Sequence, residues 1–160
     1  MSTTFIRIVM AGALALGLHA AHAADSVPTA PAASVDKLAP ARAQIAANQW
    51  RAAIEELKKV NDTGSADWNN LMGYSHRKAK TPDYEAAERY YNEALRIDPR
   101  HRGALEYSGE LYLMKGDLAK AEQRLAALDQ ICRLPCDEYT TLKKAVAAYK
   151  ANGNKVAGTY

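Results

Sequence analysis

Apolar residues along this chain recur at helical spacing, and the helical stretches themselves recur. Trp50, Ala53, Leu57 and Val60 fall at steps of three, four and three, which places them on one face of an amphipathic helix. Tyr84, Ala87, Tyr91 and Ala94 repeat those steps 34 residues later, and Leu118, Ala121, Leu125 and Leu128 after another 34. Four registers that keep one period mark an internal repeat. A second helical pattern precedes the later two copies. "WNNLMGYSHRK" and "LEYSGELYLMK" carry Gly73 and Gly109 at their centres, 36 residues apart, with the extra residues in "KAKTPDY". Glycine inside a helix costs about 1 kcal/mol against alanine. Its recurrence implies a recurring packing demand, most simply the close approach of two helix backbones. Ala41 takes this place in the first copy.

The pattern predicts helices near 35–47, 50–60, 66–79, 83–96, 101–114, 117–131 and 137–151. Ser65 suits the cap of the third, and Thr81-Pro82 suits a cap followed by proline at the first helical position of the fourth. Asp98-Pro99 ends the fourth, because the residue before proline disfavours helical geometry. Connections this short imply antiparallel neighbours. The last segment, "DEYTTLKKAVAAYKAN", sets Tyr139, Leu142, Val146 and Tyr149 on one face, with Lys143, Lys144 and Lys150 elsewhere on the wheel. It is expected to cap the final apolar face of the array.

"DYEAAERYYNEALRIDP" resembles the second helix and exit turn of a tetratricopeptide repeat, with alanines at 87 and 94, aromatics at 84 and 91, and Pro99 closing the unit. "GDLAKAEQRLAAL" resembles the same segment one copy later, and "NQWRAAIEELKKV" is a weaker match one copy earlier. The resemblance covers roughly residues 35–131 as three helix pairs. It implies an all-α, right-handed solenoid of three pairs plus the capping helix. The run from "HRGALEYSGELYL" to "LKKAVAAYK" also resembles a family of small exported bacterial repeat proteins, from which no activity carries over.

The first residues change the compartment. "MSTTFIRIVMAGALALGLHAAHAADS" has one charged side chain, Arg7, before Asp25, an eleven-residue apolar run from Ile8 to Leu18, and small residues at Ala21 and Ala23. That is the pattern of a cleavable secretory signal, residues 1–23, with cleavage near Ala23-Ala24. The run is about half the ~20 residues a spanning helix needs, so no stable membrane insertion is expected after cleavage. Removal leaves 137 residues with a net charge of +2, since only Arg7 is lost, enough for one domain with a real core. That near-neutral balance argues against nucleic-acid binding driven by bulk charge. Residues 24–34 are proline- and alanine-rich with no large apolar residue except Val27, and read as a tether. The domain is expected over 35–151, with a flexible tail at 152–160. A signal ahead of a short repeat domain fits the periplasm best.

Two cysteines, Cys132 and Cys136, flank "RLP" between the sixth helix and the cap. In an oxidising compartment they read as a disulfide that sets the cap's angle on the last repeat. Closing so short a loop contributes about 2 kcal/mol in the chain-entropy picture. The alternatives are a redox couple, which more usually takes a C-x-x-C in a βαβ setting, and a zinc site, which needs two more ligands. His76 and His101 lie in earlier repeats.

Catalysis finds little support: the chain has no Gly-rich phosphate loop, G-x-S-x-G or H-E-x-x-H. Adjacent acids such as Glu55-Glu56 and Asp137-Glu138 point apart on a helix and read as solvated faces. No catalytic residue, cofactor or metal is expected. The tetratricopeptide resemblance implies that the first helix of each pair lines a concave groove, at positions three before and one, four and five after the central glycine. These positions are Asn70, Tyr74, Arg77 and Lys78 in the second repeat, and Glu106, Glu110, Leu113 and Met114 in the third. In the first they are Leu38, Arg42 and Ile45. A groove basic over the second repeat and acidic over the third, anchored by Tyr74, suits a protein or an extended peptide with charges of both signs. The alternative is a structural or self-associating envelope component, recognisable by an exposed apolar strip on the convex side; the sequence shows no clear one, although Tyr90 lies just off the core face. Oligomeric state is left open.

Overall fold

The computed structural model describes residues 36–156, and the expected signal, the tether and the end of the tail lie outside them. The described residues form seven α-helices and no strand: α1 Ala39–Ala46, α2 Trp50–Val60, α3 Ala66–Lys78, α4 Tyr84–Ile97, α5 Arg102–Met114, α6 Leu118–Ile131 and α7 Asp137–Ala151. Each helix packs on its neighbour in sequence, so α1–α2, α3–α4 and α5–α6 are the three pairs and α7 closes the array. The odd-numbered helices also approach one another closely along their backbones, α1 on α3, α3 on α5 and α5 on α7, whereas α2, α4 and α6 stay further apart and are bridged by side chains, as by Arg124 to Asn92 at 3.2 Å. Helices that meet on one side of a stack and diverge on the other curve it towards the side where they meet. The odd-helix face is therefore concave and the even-helix face convex.

The repeat register buries as expected. Ala53, Ala87 and Ala121 are all fully buried, as are Leu57 and Tyr91. The caps repeat with the same period. Asp83 and Asp117 accept from the backbone N–H of Ala86 and Lys120 at 2.8 and 3.0 Å, while Gln49, in their register, makes no such bond. Ser65 caps α3 as expected. Thr81-Pro82 does not cap α4: the carboxylate of Asp83 is the stronger acceptor, and the helix begins one residue later at Tyr84. α1 likewise starts at Ala39 rather than 35, because the Leu38 N–H bonds to the Asp36 side chain and Pro40 falls in the first turn. The tail is not loose from 152. Asn154 N–H donates to the Tyr149 carbonyl, Gly153 takes φ +66°, and Val156 packs on the cap's core.

Cys132 ends α6 and Cys136 caps α7, and the two form a disulfide with Cα atoms 5.8 Å apart. Gly73 and Gly109 are not places where two backbones meet. A Cβ at Gly73 would stand 2.7 Å from the Tyr91 ring, and one at Gly109 would stand 2.5 Å from a Leu142 methyl. Each glycine is a seat for a large side chain, Tyr91 from the paired helix and Leu142 from the cap, both fully buried.

Alanine at either glycine gains about 1 kcal/mol of helix propensity but overpacks a filled site, at a cost of about 1–3 kcal/mol. Gly73→Ala and Gly109→Ala should each lower the urea midpoint. Gly64→Ala, with open space around it, should leave it unchanged or raise it. Equal effects at all three positions would contradict the seating.

Candidate functional site

On α3, Asn70, Tyr74 and Arg77 follow at steps of four and three and form a row. Gly103, Glu106, Tyr107 and Glu110 form the facing row on α5. The rows meet rung by rung. The Asn70 amide nitrogen lies 3.1 Å from where a Gly103 Cβ would stand. The rings of Tyr74 and Tyr107 are 4.6 Å apart, and Arg77 Nη2 is 2.7 Å from Glu110 Oε2. Behind them, Trp50 meets Tyr74 edge-on at 5.8 Å and Tyr91 lies 6.5 Å from Tyr107.

The Arg77–Glu110 pair is almost dry, its side chains 1% and 9% exposed. The guanidinium lies over both Tyr74 and Tyr107, 5.5 and 5.6 Å from their ring centres, a cation–π arrangement on two sides. Burial opposes the charge on Arg77, but its neighbours Tyr91 and Glu110 outweigh that and hold it protonated. Burial also raises the phenols: Tyr107 is pushed up to about 12, while Tyr74 and Tyr91 rise above their ordinary values. The Tyr91 hydroxyl and two of Arg77's nitrogens, Nε and Nη1, have no hydrogen-bond partner of good geometry, although the groups lie beside each other.

The expected division of the groove into a basic and an acidic half is thus corrected. The basic residue of one repeat and the acidic residue of the next neutralise each other inside the face. Glu106 is different. It is 9% exposed and has no ion-pair partner among the described residues. Burial first, and then Glu110 and Glu138, push its carboxyl up to about 7, with Arg77 pulling the other way.

Asn70, Tyr74, Arg77, Glu106 and Glu110 therefore come together. Lys78 lies at the end of α3 and lines, with Arg77, Trp50, Tyr84 and Met114, an adjoining cleft of about 310 Å³. Burial, then Arg77, lowers its ammonium pKa. Leu113 and Leu38 do not face a groove: both are core residues, because the next helix covers them. Ile45 packs partly on the same core, and Arg42 pairs with Asp36 and Asp67 at 3.6 and 3.3 Å. Tyr107, Trp50 and Glu138 escaped the sequence reading. Tyr107 was legible in principle, four residues after Gly103 and three before Glu110 on one stripe. Glu138 read as solvated, but its side chain is 26% exposed and lies 3.6 Å from Arg102.

The convex side carries two larger clefts, of about 630 and 470 Å³, where α2 and α4 diverge over α3. Tyr90 stands between them, edge-on to Trp68 at 5.9 Å and stacked on His76 at 5.5 Å. Burial lowers the His76 pKa, and the Asp83 charge opposes that. Among the described residues no group of three His, Cys, Asp or Glu side chains is placed to hold a metal ion. No described helix is long and apolar enough to cross a membrane.

Stacked pairs, a braced concave face and a closing helix define an α-helical repeat protein. Residues 82–145 match the family model described as tetratricopeptide repeat, and this stretch is a tetratricopeptide-repeat segment. The match begins just ahead of α4, the second helix of the second pair, and runs into α7, which packs on α5 as α5 packs on α3 and so stands where the next first helix would. No curated protein matches the chain.

Removing one member of a buried pair leaves a charge without compensation, at a cost of about 3–5 kcal/mol. Arg77→Met and Glu110→Leu should each destabilise by that order in urea titration, and the double variant should recover much of the loss. Strict additivity of the two losses would show that the pair is not coupled.

Proposed function

We propose that this chain is a non-catalytic scaffold, exported to the periplasm, that receives a protein or extended peptide on its odd-helix face. Tetratricopeptide repeats are generally protein-interaction modules. The observation that carries the reading to this face is the ladder of Asn70, Tyr74, Tyr107 and the Arg77–Glu110 pair. It is a rigid polar-aromatic surface already ordered without a partner, so little freedom is lost on binding. Half-exposed tyrosines fixed by neighbours are typical anchors of such surfaces.

A second reading has its own support. It is that of a structural or self-associating component, and it rests on Tyr90 and His76, stacked and half-buried in the convex clefts over the buried Trp68.

The test is capture from a Gram-negative periplasm with the tagged full chain and its Tyr74→Ala and Tyr90→Ala variants. Both variants should fold, since both tyrosines are only half-buried. A partner kept by Tyr90→Ala and lost by Tyr74→Ala is the expected result. The reverse pattern would transfer the function to the convex side. The recovered chain should begin near Ala24, and an intact Met1 terminus would contradict export by a cleaved signal.

A further inference from the structure

Glu106 is a nine-tenths buried residue whose carboxylate, still reached by solvent, has no ion-pair partner among the described residues. The one buried cation close to it, Arg77, is engaged by Glu110 and enclosed by Tyr74 and Tyr107. From α7 it is faced by Asp137 and Glu138, and from its own helix by Tyr107, Glu110 and, one turn back, Arg102. Arg102 reaches Glu138 at 3.6 Å. Across the seam, Asn70 is 7% exposed and its Oδ1 accepts no hydrogen bond. Four carboxylates thus share two guanidinium groups. The unpartnered atoms here are acceptors, the Glu106 oxygens and Asn70 Oδ1, and two donors, Arg77 Nε and Nη1, which are sealed in beneath Tyr74 and Tyr107. What Glu106 lacks is a positively charged donor that can reach it.

The geometry points to a seat on the concave face, between α3, α5 and the head of α7, for one cationic side chain, lysine or arginine, of a bound chain, set over Glu106. This rests on the odd-helix face being the binding face. A cation there supplies the counter-charge that Glu106 lacks, beside the aromatic wall of Tyr107. Only the ionised carboxylate holds it, so the fraction of competent sites follows the titration of Glu106. With a pKa of about 7 that fraction rises roughly tenfold from pH 6 to pH 8, and apparent affinity rises with it. Tyr74 and Tyr107, held above their ordinary values, stay neutral across that range.

The experiment is an NMR shift titration of the full chain with acetyl-Ala-Ala-Lys-Ala-Ala-amide and its Arg, Gln and Glu counterparts. Lys and Arg probes should move the amides of Asn70, Glu106, Tyr107 and Glu138 in a saturable way, about tenfold more tightly at pH 8 than at pH 6. Gln and Glu probes should not. Glu106→Gln should remove both the binding and its pH dependence, while Lys59→Gln, an exposed change on α2, should change neither. If Gln and Lys probes bind this face equally, the cation seat is wrong and the broader reading stands. Lys-probe shifts centred on other acids, or affinity unchanged from pH 6 to 8, also overturn the seat. If no probe moves the odd-helix face the seat falls, and the Tyr74 and Tyr90 variants decide the broader reading independently.

Discussion

The concave face depends on one buried ion pair. Arg77 and Glu110 sit on consecutive first helices, and their contact ties α3 to α5 where the packing is otherwise aromatic. Neither charge survives dehydration alone at modest cost. Together, with Tyr74 and Tyr107 over the guanidinium, they form a closed unit that fixes the helices' register. The same pairing decides what the face still offers. Two residues that look like groups for a ligand serve the fold instead, and the carboxylate one turn away is left uncompensated.

Behind that face, the second helices act as braces. Tyr91 seats on Gly73 within its pair, and Leu142 reaches back from the cap to seat on Gly109. The cap is therefore a packing partner equivalent to a further repeat, and the disulfide holds it where the sixth helix ends. Because the backbones of α2, α4 and α6 stay further apart than those of the odd helices, the outer side opens into clefts between α2 and α4. The chain thus presents two unlike surfaces: an inner one, tight and charged, and an outer one, open and aromatic.

Much of this was legible in the sequence. The 34-residue period is written by Ala53, Ala87 and Ala121, whose small side chains are required wherever helices cross closely, and the buried positions followed it. Helix ends were legible where one residue dictates them, as at Ser65 and Pro99, and not where two compete, as at Thr81 and Asp83. The site was legible as a stripe but not as a network. Asn70, Tyr74, Arg77, Glu106 and Glu110 were found by position on their helices. Which charge answers which depends on the offset between α3 and α5, and a periodic pattern does not encode that offset. For the same reason Leu113 and Leu38 were placed on a groove when the next helix covers them.

The claim beneath the whole account is that the buried pair leaves Glu106 as an unpaired carboxylate in a largely buried, negative setting. Its side-chain carboxyl carbon, labelled and followed by NMR across pH in the folded full chain, reports this directly. The account predicts a midpoint near 7, well above the ordinary 4.5, shifting downwards when a lysine-bearing peptide is added. Folding then favours the protonated acid, so stability should fall as pH rises from about 4.5 to 7, and Glu106→Gln should abolish that decline. A midpoint in the ordinary carboxylate range would mean that Glu106 is solvated or paired, and would contradict the account at its root.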